Sequence, residues 1–238
     1  MLKIKLYADG ADQKLIYKLN LKKNCAGFTT NPSLMKKDGV KNYEHFSKKI
    51  LKKVTKKPVS LECFADDFFN IERQALKINS WGKNVYVKIP ITNTKGEGSY
   101  NSIMNLTKKK VKLNITAVFT VEQVRKIIKS LKKVNTNSKV IISIFAGRIA
   151  DTGIDPILMI KKMIKIIKKS KLKNIETLWA STREIHNVYQ ANQIGVDIIT
   201  IPYNFFSKLN LKNKNLNKYS IETVKMFYDD AKKSKYII

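Results

Sequence analysis

The run Val85-Tyr86-Val87-Lys88-Ile89-Pro90 places a lysine near the end of a β-branched segment of the kind that is apolar on both faces in a parallel sheet. An ammonium group held there loses water, and desolvation favours the neutral amine that attacks carbonyls. A lysine snorkelling outward from a strand end is the plain alternative, so its company decides. Polar residues end the other β-like runs at Asp9, Asn31, Glu62 and Thr116. Ser60 with Glu62, Asn114 with Thr116, and Ser143 with Phe145 are each two residues apart, which puts both members of a pair on one face of a strand. Singly, such residues form turns or satisfy local backbone groups. A lysine, two carboxylates, two amides and a threonine gathered at one rim are costly to bury without a purpose.

The chemistry such a set supports is Schiff-base aldol cleavage. A neutral amine condenses with a ketone, and the iminium then accepts the electrons of the next C–C bond as it breaks. One carboxylate must take the proton from the hydroxyl whose carbon becomes an aldehyde. A second carboxylate with a hydroxyl partner can manage the water lost and regained as the imine forms and is hydrolysed. Amide and hydroxyl side chains hold the remaining sugar hydroxyls.

To bring these residues together the chain must alternate strands and helices, and its periodicity does so from end to end. Strands are expected over Lys3–Asp9, Gly27–Thr30, Val59–Cys63, Val85–Ile89, Lys112–Thr116, Val140–Phe145, Glu176–Ala180 and Asp197–Ile201. Amphipathic segments separate them. Thr120 and Gln123 form a capping-box pair, Asp155-Pro156 starts a helix over Ile157–Lys169, and Gly82 and Gly195 stand where left-handed caps would end helices. Asp66-Asp67 should start the helix after the third strand, Asp151 is read as a cap, and Ser220 opens the last helix. The strand-end residues Asp9, Asn31, Glu62, Lys88, Thr116, Phe145, Ser181 and Pro202, most of them polar, lie 21 to 36 residues apart, one strand–helix unit each. These features predict an α/β fold, a single (β/α)8 TIM barrel over residues 1–238. The helix around 220–235, with Phe227 and Tyr228, is assigned to packing, including against a neighbouring subunit. A doubly wound sheet is the alternative, but no glycine-rich loop follows the first strand.

Composition narrows the partners. The net charge is +29, yet Arg73, Arg125, Arg148 and Arg183 are the only arginines among 47 basic residues. Phosphate-backbone binders favour arginine with interleaved aromatics. Here the lysines fall outward: over Asn42–Lys57, Tyr43, Phe46, Ile50 and Val54 form an apolar stripe with most lysines off it. No nucleic-acid or membrane partner is expected. No apolar run reaches membrane-span length, and Met1-Leu2-Lys3-Ile4-Lys5 opens a strand instead of a signal peptide. Cys25 and Cys63 suit a reducing cytoplasm. His45 and His186 lack neighbours at ligand spacing, so no metal is expected.

Thr29-Thr30-Asn31-Pro32-Ser33, Val87-Lys88-Ile89-Pro90-Ile91-Thr92, Asn114-Ile115-Thr116-Ala117 and Phe145-Ala146-Gly147-Arg148-Ile149 strongly resemble the transaldolase family. With Asp9, Ser60-Leu61-Glu62 and Ala180-Ser181-Thr182-Arg183, the resemblance covers nearly the whole chain in order, and the length is similar to the compact branch shared with fructose-6-phosphate aldolases. The resemblance implies Lys88 as the Schiff-base lysine and Asp9 as the acid/base at the C–C bond. It implies that Glu62 and Thr116 handle the catalytic water. Asn31 and Asn114 would hold the dihydroxyacetone hydroxyls with Ser143 close by, and Arg148, Arg183 and Ser181 would bind the substrate phosphate. Arginine forks match phosphate oxygens, and Ser181 precedes a helix whose N-terminus attracts anions. A barrel-rim salt bridge is the plain alternative for Arg148.

The implied reaction is cofactor-independent transfer of a dihydroxyacetone unit from a ketose phosphate, such as sedoheptulose 7-phosphate or fructose 6-phosphate, to an aldose phosphate, as in the pentose phosphate pathway. The aldolase branch typically carries Tyr where Phe145 stands and Gln where Glu62 stands, so both residues point to transfer. A lyase releasing free dihydroxyacetone and a specialised sugar-phosphate transaldolase are the rivals; a non-catalytic basic binding protein is the rival from another class. Relatives of this size often form rings, so a homo-oligomer is expected. The family usually has Thr or Ser after its first-strand aspartate, and Gly10 stands there, which is expected to loosen the Asp9 loop or alter substrate fit.

Overall fold

A computed structural model describes residues 2–134 and 136–237. Eight parallel strands close into a barrel in sequence order: β1 (Lys5–Asp9), β2 (Gly27–Thr29), β3 (Val59–Glu62), β4 (Val85–Pro90), β5 (Leu113–Val118), β6 (Val140–Ile144), β7 (Ile175–Trp179) and β8 (Ile198–Pro202). Each expected strand is present, with ends shifted by one or two residues. The register aligns the polar ends: Asp9 opposite Thr29, Glu62 opposite Lys88, and Lys88 opposite Asn114. Period-two alternation then sends Tyr7, Tyr86, Ile141, Leu178 and Ile198 into one buried cluster inside the barrel. Gly27 makes this possible, because a Cβ there would lie 2.6 Å from the Tyr7 ring. The opposite faces, with Val87, Ile89, Ile115, Ile144 and Ile199, are fully buried as well, which is why these strands read as continuous apolar runs.

Helices cover the outside: α1 (Gln13–Asn20), α2 (Pro32–Lys37), α3 (Tyr43–Lys53), α4 (Phe68–Asn79), α5 (Tyr100–Lys108), α6 (Val121–Lys132), α7 (Ala146–Ala150), α8 (Pro156–Lys169) and α9 (His186–Ile194). Their starts follow local chemistry. Thr120 and Gln123 form the reciprocal capping box of α6, Asp155 caps α8 ahead of Pro156, and Asp67 caps α4. Helix α6 buries Val124, Ile127, Ile128 and Leu131, each worth roughly 1.5–3 kcal/mol of removed apolar surface. Gly195 ends α9 at φ +80, as expected. Gly82 does not take a left-handed conformation; α4 has already ended, with Ser80 as a right-handed cap whose hydroxyl donates to the Lys77 carbonyl.

Most lysines are exposed, and of the partly buried ones Lys57 is instructive. Lys57 Nζ donates to the carbonyls of Asn20 and Lys22 at 2.6 and 2.9 Å, satisfying the C-terminal end of α1.

Residues Met1–Tyr203 form one compact unit and Asn204–Ile238 a second. The second holds α10 (Phe205–Lys208), a 3-10 turn (Leu209–Leu211) and α11 (Leu216–Ser234). Helix α11 begins before Ser220, because Asn215 caps it by accepting the Lys218 amide. None of its side chains is buried, and Ile221, Val224, Met226, Phe227 and Tyr228 are all exposed. No helix among the described residues is long and apolar enough to cross a membrane.

Candidate active site

A cavity of about 480 Å³ opens at the carboxyl ends of the strands. It is lined by every residue singled out above: Asp9, Asn31, Glu62, Lys88, Asn114, Thr116, Ser143, Phe145, Arg148, Ser181 and Arg183. Those residues come from seven different strands or the loops that follow them, and only barrel closure brings them together.

Lys88 is 7% exposed, and its Nζ donates to Glu62 Oε2 and to the Thr30 carbonyl, both at 2.9 Å. The amine is therefore dehydrated but not solitary. Adjacent strands in register hold an amine and a carboxylate at hydrogen-bond distance, close enough to exchange a proton as the amine reacts.

Asp9 faces the same space. Burial pushes its carboxyl above the usual carboxylate range, and the neighbouring Glu62 charge adds to this; the Thr29 hydrogen bond and Lys88 act in the other direction. Thr29 Oγ1 donates to Asp9 Oδ1 at 2.7 Å and lies 2.5 Å from Thr200 Oγ1. Since Thr29 has one hydroxyl proton and gives it to Asp9, Thr200 must be the donor to Thr29. A carboxyl raised in this way holds a proton more readily than an exposed one, as an acid/base that must also return a proton requires.

The floor beside Lys88 is a chain of buried polar groups. Asn114 Nδ2 donates to Ser60 Oγ at 3.0 Å, and Ser143 Oγ donates to Asn114 Oδ1 at 2.6 Å. These bonds fix the amide orientation and leave one amide proton unassigned. Asn31 caps α2 through its Oδ1, which accepts the Leu34 amide, so only its NH2 group remains for a ligand.

Thr116 owes its place to a bulge. The register between β5 and β6 slips between Ile115 and Val118, and Ala117 sits at φ +57. Such a conformation is costly for a residue with a Cβ, and bulges of this kind re-aim side chains next to functional sites. Thr116 Oγ1 is buried without a hydrogen-bond partner among the described residues. A buried hydroxyl left unpaired is a place prepared for a water or ligand group.

At the outer rim the two arginines differ. Arg148, on α7, is exposed and has no ion pair among the described residues. Arg183 is paired through two nitrogens with Asp151, which also caps the C-terminal end of α7, its amide donating to the Gly147 carbonyl. Ser181 is held at φ +62, and α9 begins only at His186, so Ser181 does not lie at its N-terminus. The close approach of α7 to this loop requires Gly147, since a Cβ there would lie 1.6 Å from the Ser181 carbonyl oxygen. Phe145 packs on Phe119 with ring centroids 5.7 Å apart, closing the side of the cavity.

Thr29 and Thr200 line the cavity too and were missed in the sequence. The period-two rule that linked Ser60 to Glu62 finds both, because Thr29 lies two before Asn31 and Thr200 two before Pro202. The bulge at Ala117 has no signal in the residue pattern.

A closed (β/α)8 barrel with a lysine–carboxylate pair at its carboxyl mouth defines a barrel enzyme. Comparison with known proteins narrows the class. Residues 6–237 match the family model described as transaldolase/fructose-6-phosphate aldolase. The chain is 31% identical over 219 residues to a probable transaldolase of Methanococcus vannielii, spanning 92% of this chain and 94% of that protein. It is 32% identical over 206 residues to probable transaldolase 2 of Listeria monocytogenes, spanning 87% and 88%. Among solved structures, dihydrodipicolinate synthase from Rhodopseudomonas palustris superimposes with a TM-score of 0.55 at 13% identity, over 96% of this chain and 79% of that one, a likeness of fold alone. The chain belongs to the transaldolase/fructose-6-phosphate aldolase family. It is an enzyme of that transferase and aldolase class.

Proposed function

We propose that the protein transfers a dihydroxyacetone unit from a ketose phosphate, sedoheptulose 7-phosphate or fructose 6-phosphate, to an aldose phosphate through a Schiff base on Lys88. The observation that carries this reading is the dehydrated Lys88 amine held 2.9 Å from Glu62 in the cavity that also contains Asp9. Lys88 gives a proton to Glu62 and attacks the ketone, forming a C–N bond. Loss of the former ketone oxygen as water, with Glu62 and the unpaired Thr116 hydroxyl on that water, leaves the iminium. Asp9 takes the proton of the neighbouring carbinol hydroxyl, the C–C bond breaks, and its electron pair moves to the iminium nitrogen. An aldehyde leaves and an enamine stays on Lys88. The acceptor aldehyde reverses these steps, Asp9 returning its proton to the new hydroxyl, and water then releases the ketose. Asn31, Asn114 and Ser143 hold the dihydroxyacetone hydroxyls, and Arg148, Arg183 and Ser181 bind the phosphate.

Phe145 and Glu62 favour transfer over lysis. A phenyl ring cannot place a water as a tyrosine hydroxyl would, so the enamine waits for an aldehyde. Incubation with fructose 6-phosphate alone tests this: little free dihydroxyacetone is expected until an aldose phosphate is added, and steady release would establish the lyase instead. Borohydride reduction in the presence of sugar, followed by peptide mapping, should find the adduct on Lys88. The exposed apolar side chains of α11 support a homo-oligomer in which a second copy covers them, and light scattering reads that state.

A further inference from the structure

Asp9 is followed by Gly10 at φ +153, a conformation that L side chains rarely adopt. The space a side chain would need is already filled. A Cβ on Gly10 would lie 2.3 Å from Tyr203 Cε2 and 2.7 Å from its hydroxyl oxygen. Tyr203 follows β8, the strand paired with β1 on the side away from β2, so its ring reaches the Asp9 turn from behind, and it is not among the cavity-lining residues. On the other side the Gly10 amide donates to the Thr29 carbonyl at 3.1 Å, and the Ala11 amide donates to Asp38 Oδ2 at 2.9 Å. The turn is gripped on two sides, and the looseness expected of Gly10 is replaced by a wedge.

The wedge has an unusual tip. Tyr203 Oη is buried with no hydrogen-bond partner among the described residues. Burial, then the Asp38, Asp9 and Asp12 charges, push the phenol far above its ordinary range, so it stays neutral. Removing a buried polar tip while keeping the ring should cost the fold nothing.

We infer that Tyr203 is a positioning residue for the reaction at Asp9: its ring, wedged on Gly10, sets where the Asp9 carboxyl stands and keeps water from its back. This rests on the reading of Asp9 as the acid/base in the proposed transfer. The groups facing Asp9 are Thr29 from β2, Glu62 from β3, Lys88 from β4 and Tyr203 after β8. Of these, Tyr203 is the one that does not line the cavity.

The test compares Tyr203→Ala, Tyr203→Leu and Tyr203→Phe in the full chain, measuring kcat and KM for fructose 6-phosphate with an aldose phosphate acceptor, the pH profile, thermal stability and borohydride trapping with dihydroxyacetone. Tyr203→Ala should lower kcat on the order of tenfold to a hundredfold with KM nearly unchanged, because a misplaced acid/base costs the chemical step. Its acid limb should move to lower pH as water reaches Asp9, while trapping at Lys88 persists. Tyr203→Phe should restore both kcat and the acid limb and melt no lower than the native chain. Tyr203→Leu, with intermediate bulk, should fall between them and serves should the alanine variant not fold. A native acid limb in the alanine or leucine variant would overturn the inference, as would a phenylalanine variant no better than leucine. Failure to trap Lys88 in the native protein would instead bring down the transfer reading, and this inference with it.

Discussion

Gly147→Ala isolates the contact between α7 and the rim loop. A Cβ at this position would lie 1.6 Å from the Ser181 carbonyl oxygen, 2.8 Å from its carbonyl carbon and 3.1 Å from Arg183 Cγ. Comfortable heavy-atom contact begins near about 3.5 Å, so the loop must withdraw by roughly 2 Å. Overpacking of this kind costs about 1–3 kcal/mol. For a chain of this size each kcal/mol lowers Tm by about 2–4 °C, giving a drop of roughly 2–12 °C. The displaced groups are Ser181 and Arg183, which the proposed function assigns to phosphate. A displacement on the order of 1 Å costs about a hundredfold in a positioned reaction, so kcat/KM for fructose 6-phosphate should fall tenfold to a hundredfold. Lys88 lies on β4, across the mouth, and borohydride trapping with unphosphorylated dihydroxyacetone should survive. Differential scanning fluorimetry and steady-state kinetics read both effects. A variant with native Tm and native kcat/KM would refute the close approach and the phosphate assignment together, and equal loss of trapping and turnover would refute its localisation to the rim.

Lys88→Met should abolish the reducible adduct and all turnover, read by mass spectrometry after borohydride; a mapped adduct on another lysine would reject Lys88. Asp9→Asn should lower kcat by about 10²–10⁴-fold, the usual worth of a positioned acid/base. It should also raise Tm at neutral pH, by a sign that follows from burial. Asp9 has its carboxyl raised above the usual 3.8, so its contribution to stability is full below that value and is lost as pH rises through the raised one. The Tm gain of the asparagine variant should therefore shrink as the pH is lowered through that window, and a gain independent of pH would contradict the argument. The acid limb of the native kcat/KM should lie above the ordinary carboxylate range, since Asp9 must be ionised to take the carbinol proton. Phe145→Tyr should increase release of free dihydroxyacetone from fructose 6-phosphate alone, measured by a coupled reductase assay.

The barrel was legible because its strands are buried on both faces and so read as uninterrupted β-branched runs, while α6 and α8 announce themselves through Thr120–Gln123 and Asp155-Pro156. Period two then carried the reading from fold to cavity, placing Glu62, Thr116 and Ser143 on one side of their strands. What stayed hidden depends on contacts between distant segments. Asp151 reads as a local cap, which it is at the end of α7, but its pairing with Arg183 appears only once the fold brings the two together. Gly10 reads as slack until Tyr203, at the far end of the barrel sequence, is found against it. The slip at Ala117 is a matter of backbone register, which no single residue type encodes. Ser220 and Asn215 are both ordinary cap residues, and the structure starts the last helix at the earlier of the two.

Asp151 gives Arg183 a permanent tenant. Any anion seeking that guanidinium must evict a carboxylate or share it, and the eviction is cheap because both side chains are half exposed. Arg148 has no ion pair among the described residues by comparison. Under the proposed transfer, the rim would meet a phosphorylated sugar with one waiting hand and one already clasped, keeping that hold modest and letting the finished sugar depart.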